Sequence, residues 1–60
     1  MKKYRYEKIE LEGNVVYFDG YVSKDNKLYI TAYYGTIVLQ QQAIQDFCVV
    51  HGYAGCIIMH

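Results

Sequence analysis

The chain has 60 residues, six basic and six acidic side chains, and a formal net charge of zero. A chain this short forms one domain, 1–60, and buries only about 60% of its unfolded surface, so its core is marginal without a disulfide, a metal or a second copy. The balanced charge disfavours nucleic acid and anionic membranes as partners, because proteins that neutralise phosphates carry a basic surplus. No apolar run approaches the ~18 residues of a membrane-spanning helix.

Three segments in the first half of the chain alternate between apolar and polar side chains: 3–12, 15–23 and 27–34. They are rich in Val, Ile, Tyr and Phe, and this pattern predicts three antiparallel strands joined as hairpins. Gly13-Asn14 is predicted to form a two-residue turn, since both residues tolerate positive φ. The next connection, 24–26, is predicted to be a three-residue loop with Asn26 left-handed.

These turns predict which side chains share a face, because a slip of one residue moves every side chain to the other side. The two hairpins independently place their apolar residues on the same face, which needs a cover: Ile9, Leu11, Val16, Phe18, Val22, Leu28, Ile30 and Ala32. The opposite face is predicted to carry Tyr4, Tyr6, Lys8, Glu10, Tyr17, Asp19, Tyr21, Tyr29, Thr31 and Tyr33. Within that face, Tyr6, Tyr21 and Tyr29 are predicted to form one row across three strands.

The second half of the chain predicts one helix and one strand. Segment 36–39 is interpreted as a short strand or entry turn, and a helical pattern begins at Gln40 and ends at a left-handed Gly52. Its apolar stripe comprises Ala43, Ile44, Phe47, Cys48 and Val50. The final segment, 55–60, has apolar side chains at both odd and even positions, so both faces of a strand there would be apolar. This predicts a strand that is central in the sheet or covered by a second copy. The predicted fold class is α+β, a small two-layer β-β-β-α-β unit in which an antiparallel meander packs on one helix, followed by a C-terminal strand.

Candidate chemistry is sparse. Cys48, His51, Cys56 and His60 have the residue types of a zinc site, but four positions along a strand separate the last two by roughly 13 Å, too far for ligands of one tetrahedral ion. We therefore predict no metal and two reduced core thiols, with a disulfide between the cysteines as the alternative. The sole serine, Ser23, is distant in sequence from either histidine, and nucleophile elbows and phosphate loops are missing. The sequence predicts a protein that is not an enzyme and uses no cofactor.

The tyrosines are the main functional signal. Tyr also has a high strand propensity, but an aromatic face that the core does not need is typical of an interface, and Tyr is favoured at binding hot spots. The predicted partner-binding residues are Tyr6, Tyr17, Tyr21, Tyr29 and Tyr33. Two surfaces remain candidates for self-association, this face and the last strand.

The leading interpretation is a free-standing, soluble interaction module that forms a homodimer and occupies a surface of a host protein. No apolar leader follows the initial Met and lysines, which favours the cytoplasm. Neutral chains of this size without a cofactor motif are typical of inhibitor-type, anti-defence proteins of phages and mobile elements. The alternative is a small nucleic-acid-binding regulator, which would combine the tyrosine-rich face with the basic N-terminal strand, Lys2, Lys3, Arg5 and Lys8.

Overall fold

The computed structural model of the protein describes residues 2–59, apart from the side chain of Ile37. Its elements are β1 (Lys3–Leu11), β2 (Asn14–Val22), β3 (Lys27–Tyr34), α1 (Ile37–His51) and β4 (Gly55–Ile58). They form one sheet in the order β1-β2-β3-β4, in which β4 runs parallel to β3 and the other pairs are antiparallel. The predicted α+β fold of β-β-β-α-β order is confirmed. β4 lies at an edge of the sheet, so it is not a central strand.

The first hairpin turns one residue earlier than predicted. Glu12 and Gly13 both have positive φ, 50° and 81°, as the two central residues of a type I′ turn require. Leu11 therefore pairs with Asn14 rather than with Val16. The predicted turn at Gly13-Asn14 is wrong because glycine is favoured as the second central residue of such a turn, not the first. Each β1 residue near the turn pairs with a β2 residue two positions before the predicted one. Because side chains alternate with a period of two, those near the turn stay on the predicted face of the sheet.

The second hairpin has the predicted loop. Asn26 is left-handed with φ 62°, and the Ser23 N–H donates to the Lys27 carbonyl at 2.9 Å to close the loop. Val22 pairs with Leu28, as the three-residue loop requires. Here the predicted register is confirmed, and with it the placement of both side chains on the helix side.

Both neighbours of β2 bulge beside Asp19. In β1, Arg5 and Tyr6 together lie opposite Asp19, and Tyr6 has φ 49°. In β3, Thr31 has no partner on β2, since Ile30 pairs with Gly20 and Ala32 with Asp19. A bulge inserts one residue on one strand and so reverses the alternation of side chains beyond it.

The bulges move several side chains to the face opposite the predicted one. Tyr4 and Tyr33 lie on the helix side, where Tyr4 is buried and Tyr33 packs half-buried against the core. Ala32 moves the other way, to the side opposite α1, and Tyr34, for which no face was predicted, lies on that side too and pairs with Tyr17. The predicted faces of Tyr4, Tyr33 and Ala32 are wrong because the prediction assumed unbroken alternation along β1 and β3.

α1 covers the apolar side of the sheet. The buried apolar side chains are Tyr4, Val16, Phe18, Leu28, Ile30, Ala43, Ile44 and Cys48. The helix starts at Ile37, so 37–39 form its first turn and not a strand, and Gly52 caps its end with φ 73° as predicted. Val50, expected in the apolar stripe, is instead 81% exposed and lines an open groove between α1 and β1. No helix in the described part of the chain has the length and apolar character needed to cross a membrane.

Candidate functional site: the tyrosine face

The sheet side opposite α1 carries a group of tyrosines, here called the tyrosine face: Tyr6, Tyr17, Tyr21, Tyr29 and Tyr34. Four of the five predicted partner-binding residues belong to it. The fifth, Tyr33, lies on the helix side, and its neighbour Tyr34 takes the place predicted for it. The bulge at Thr31 causes this exchange.

Tyr21 and Tyr29 form the first of two stacked pairs. They are directly opposite in the β2–β3 ladder, with ring centroids 5.3 Å apart and planes 12° from parallel. In the same row, Lys3 pairs with Tyr21 on one side and Ile57 with Tyr29 on the other. Tyr6, which was predicted to complete this row, is displaced from it by the β1 bulge.

Tyr6 stacks instead on Tyr34, with centroids 5.8 Å apart and an interplanar angle of 13°. These rings are 65% and 46% exposed, and Tyr17 lies beside Tyr34 in the β2–β3 register. The hydrogen bond with the Tyr6 side chain is the main cause that raises the pKa of the Tyr34 hydroxyl, and the nearby charge of Asp19 acts in the same direction. The Tyr34 hydroxyl is therefore a hydrogen-bonding tip on an exposed ring.

Asp19 and Gly20 set the geometry between the two pairs. The Tyr6 backbone N–H donates to Asp19 Oδ1 at 2.7 Å, which holds the β1 bulge, and the Thr31 hydroxyl donates to the Asp19 carbonyl at 3.3 Å. A Cβ on Gly20 would lie 2.5 Å from the Tyr29 carbonyl oxygen, so the backbones approach too closely for any side chain there. A glycine inside a strand is a recognised sign of a bulge or close approach, and it is the signal in the sequence that predicts these irregularities.

The charges on this side of the sheet are mixed. Lys8 and Glu10 form an exposed ion pair with an N···O distance of 3.0 Å, and the hydrogen bond with Glu10 is the main cause that raises the pKa of Lys8. Exposed pairs of this kind contribute little to stability. Together with Lys3 and Asp19, they leave the face without a dominant sign of charge. Such a surface suits contact with another protein better than with a polyanion.

The remaining tyrosine of the chain, Tyr53, has a structural role. Its hydroxyl is 2.5 Å from that of Tyr4, and this hydrogen bond is the main cause that raises the pKa of Tyr53. The His51 ring packs against both Phe47, at a centroid distance of 4.1 Å, and Tyr53, at 5.8 Å. This aromatic cluster joins β1 to the end of α1 on the helix side of the sheet.

The two cysteines are free thiols that lie side by side, Cys48 on α1 and Cys56 on β4. Burial raises the pKa of Cys48, and burial together with the neighbouring Cys48 thiol raises that of Cys56 to about 12. Both are therefore protonated near neutral pH, whereas a nucleophile or metal ligand must be a thiolate. Within residues 2–59, no three His, Cys, Asp or Glu side chains converge as metal ligands, and His60 of the considered zinc quartet lies outside the described residues.

Ser23 has no role on the tyrosine face. Its hydroxyl donates to the Asp25 carboxylate within the β2–β3 loop, and this hydrogen bond is the main cause that lowers the pKa of Asp25.

No protein-family model, curated protein or solved structure that was compared with the chain matches it. The interpretation of the tyrosine face therefore depends on its own geometry.

Proposed function

We propose that the protein is a small, non-catalytic interaction module that acts in the cytoplasm as a homodimer and binds the surface of another protein through its tyrosine face. One observation carries this proposal: two stacked tyrosine pairs, Tyr6–Tyr34 and Tyr21–Tyr29, stand on a sheet face that α1 leaves uncovered. Free thiols at Cys48 and Cys56 are consistent with a reducing compartment.

Stacking prepares these rings for binding. A tyrosine has only two side-chain torsions, and a ring held against a neighbour has already lost much of that freedom before a partner arrives. Each ring offers apolar area along its body and a hydroxyl at its tip, so one residue supplies both burial and a hydrogen bond. A tyrosine at a binding hot spot typically contributes 2 kcal/mol or more, about thirtyfold in affinity.

A module without a reaction centre acts by covering part of its partner. We therefore assign the protein an inhibitor-type role of the phage or mobile-element kind, in which it occupies a surface that a host protein needs. Its neutral charge supports a protein partner, since an encounter with a polyanion would favour a basic surface.

Binding of single-stranded nucleic acid fits this face less well. Proteins that hold single strands stack bases on open aromatic rings. Here one side of each ring in the two pairs is already covered by another tyrosine, and the Asp19 carboxylate lies between the pairs. The tyrosine face is therefore better suited to a protein than to a single strand of nucleic acid.

The test compares proteins captured from bacterial lysate by three immobilised forms: the parent, Tyr21→Ser/Tyr29→Ser, and the control Val38→Ser/Val50→Ser. The control removes apolar groups from exposed positions of α1, Val38 at 76% and Val50 at 81% exposure, on the other side of the molecule. Mass spectrometry should identify a protein retained by the parent and the control but lost from the tyrosine variant. Circular dichroism checks that every form is folded.

Two results would contradict the proposal. The first is a captured protein that the folded tyrosine variant retains as strongly as the parent does. The second is retention that disappears after nuclease treatment, falls steeply with salt, and is lost in Lys3→Glu/Arg5→Glu while the tyrosine variant is unaffected. That second pattern would assign the protein to the nucleic-acid class, because phosphate contacts release counterions.

A further inference from the structure

β4 is an edge strand, and within residues 2–59 no other strand pairs with its outer side. Its neighbour is β3, and the Met59 N–H donates to the Ile30 carbonyl at 2.9 Å. Backbone groups alternate in direction along a strand, so those of Cys56 and Ile58 point away from β3, toward the open edge. An edge of this kind is a template for another strand.

On the helix side of this edge the described side chains are uncharged, whereas on the other side Lys27 of β3 lies beside Gly55. Two shallow grooves run between β4 and α1, lined by Gln41, Ile44, Gln45, Cys48, Val49, Tyr53, Ala54, Gly55, Cys56 and Ile58. None of these side chains carries a formal charge near neutral pH. Apolar groups are exposed around the strand, among them Ile57, Met59 and Val49, which is 78% exposed.

The opposite edge of the sheet, β1, is protected against pairing with another strand. β1 carries Lys3, Arg5, Glu7, Lys8 and Glu10 along its length, and the bulge at Arg5-Tyr6 interrupts its backbone pattern. Charged side chains and bulges are the usual means by which proteins prevent an edge from pairing with another chain. β4 has neither charged side chains nor a bulge, so the two edges of this sheet differ in their ability to pair with another strand.

These observations identify the occupant of the β4 edge as a second copy of the chain. Pairing β4 with itself about a two-fold axis brings together groove linings that carry no charged side chain. It also places the glutamines and Val49 of each α1 on the same flank as those of the other copy. A 60-residue domain also gains the additional burial that it needs. A foreign strand would gain nothing further from the uncharged helix side of this edge, because it offers no charge pattern to select one sequence over another.

We propose that two copies join β4 to β4 in antiparallel orientation, with the axis at Ile57, to form one continuous eight-stranded sheet. Cys56 of each copy then pairs with Ile58 of the other, and Ile57 lies beside its own equivalent. This inference rests on the homodimer of the proposed function and names the surface that forms it. The axis is perpendicular to the sheet, so both helices lie on one side and both tyrosine faces on the other.

Ile57→Lys tests the arrangement, because two lysines would then meet at the axis. The matched control is Val50→Lys, the same change at an exposed position of α1 that lines the groove toward β1. Sedimentation at micromolar concentration should give about twice the chain mass of 7.0 kDa for the parent and the control, and the single-chain mass for Ile57→Lys. Mixing Ile57→Lys with Ile57→Glu should restore the double mass, which a variant that merely unfolds would not do.

Hydrogen exchange gives an independent measurement on the parent protein. The amides of Cys56 and Ile58 should exchange slowly at concentrations where the double mass is seen, and faster on dilution. A parent that sediments as a single chain would overturn both the homodimer and the β4 interface. An Ile57→Lys protein that keeps the double mass would overturn the β4 interface alone. If the Tyr21→Ser/Tyr29→Ser variant then sedimented as a single chain, the dimer would be assigned to the tyrosine face.

Discussion

Phe18 lies at the centre of the core, where its ring meets Tyr4 at a centroid distance of 5.5 Å and Phe47 at 5.3 Å. Its side chain is fully buried. Phe18→Ala should therefore cost about 3 to 5 kcal/mol, which is comparable to the whole stability of a domain this small. Urea denaturation followed by circular dichroism measures the loss. Tyr17→Ala, next along β2 on the other face, is the control, and a collapse of that variant with Phe18→Ala unaffected would mean that the two faces are assigned backwards.

Gln40 is a polar residue in an apolar place. It is 1% exposed, and its Oε1 has no hydrogen-bond donor among the described residues. A buried polar atom without a partner costs about 1 to 3 kcal/mol, so Gln40→Met, which keeps the length of the side chain, should raise the free energy of unfolding by an amount in that range. Gln42→Met, at an exposed position of α1, should give no such gain. Destabilisation by Gln40→Met in urea denaturation would show that the amide is satisfied.

The first hairpin contains a residue poorly suited to its conformation. Glu12 has φ 50°, and a left-handed conformation costs an ordinary L-residue about 1 to 2 kcal/mol. Glu12→Asn would complete the Asn-Gly pair that type I′ turns prefer, so we expect thermal denaturation to show a stabilisation of about 1 kcal/mol. Glu10→Asn, within β1, should not stabilise because Asn is disfavoured inside strands. Equal gains at both positions would exclude the turn as the cause.

The elements show how far alternation alone predicts this fold. Near the turns it predicted the apolar face correctly, as Val22 and Leu28 illustrate. There the face of a side chain depends only on whether its position is odd or even relative to the turn. It could not locate the bulges, which arise where Gly20 lets β3 approach and Asp19 binds the Tyr6 amide. The exchange of Tyr33 for Tyr34 in the candidate site follows from those backbone contacts. The start of α1 was missed because Ile37 and Val38 are β-branched and favour strands when considered locally.

At the scale of the whole molecule, stability should fall in alkali. The pKa of Cys56 is raised from 9.0 to about 12 in the folded protein, and the pKa values of Cys48 and Tyr53 are raised as well. Above pH 9 the unfolded chain loses the Cys56 proton that the folded protein keeps, so stability is complete below that pH and declines as pH rises toward 12. Thermal denaturation at increasing pH measures this decline. Cys56→Ala should show a weaker dependence on pH, and an unchanged profile would exclude this thiol as a cause.

The parallel pairing of β3 with β4 has a consequence for the speed of folding. Tyr29 pairs with Ile57, and all of α1 lies between them, whereas the two hairpins close over short turns. Contacts between residues distant in sequence form late because closing the longer loop costs more entropy. In stopped-flow measurements, Ile58→Val, a change of about 0.5 to 1.5 kcal/mol, should mainly accelerate unfolding, while Glu12→Asn should accelerate folding. A slower folding rate for Ile58→Val would place β4 among the first elements to form. β4 is thus expected to control how long the native state persists, and the first hairpin how quickly it is reached.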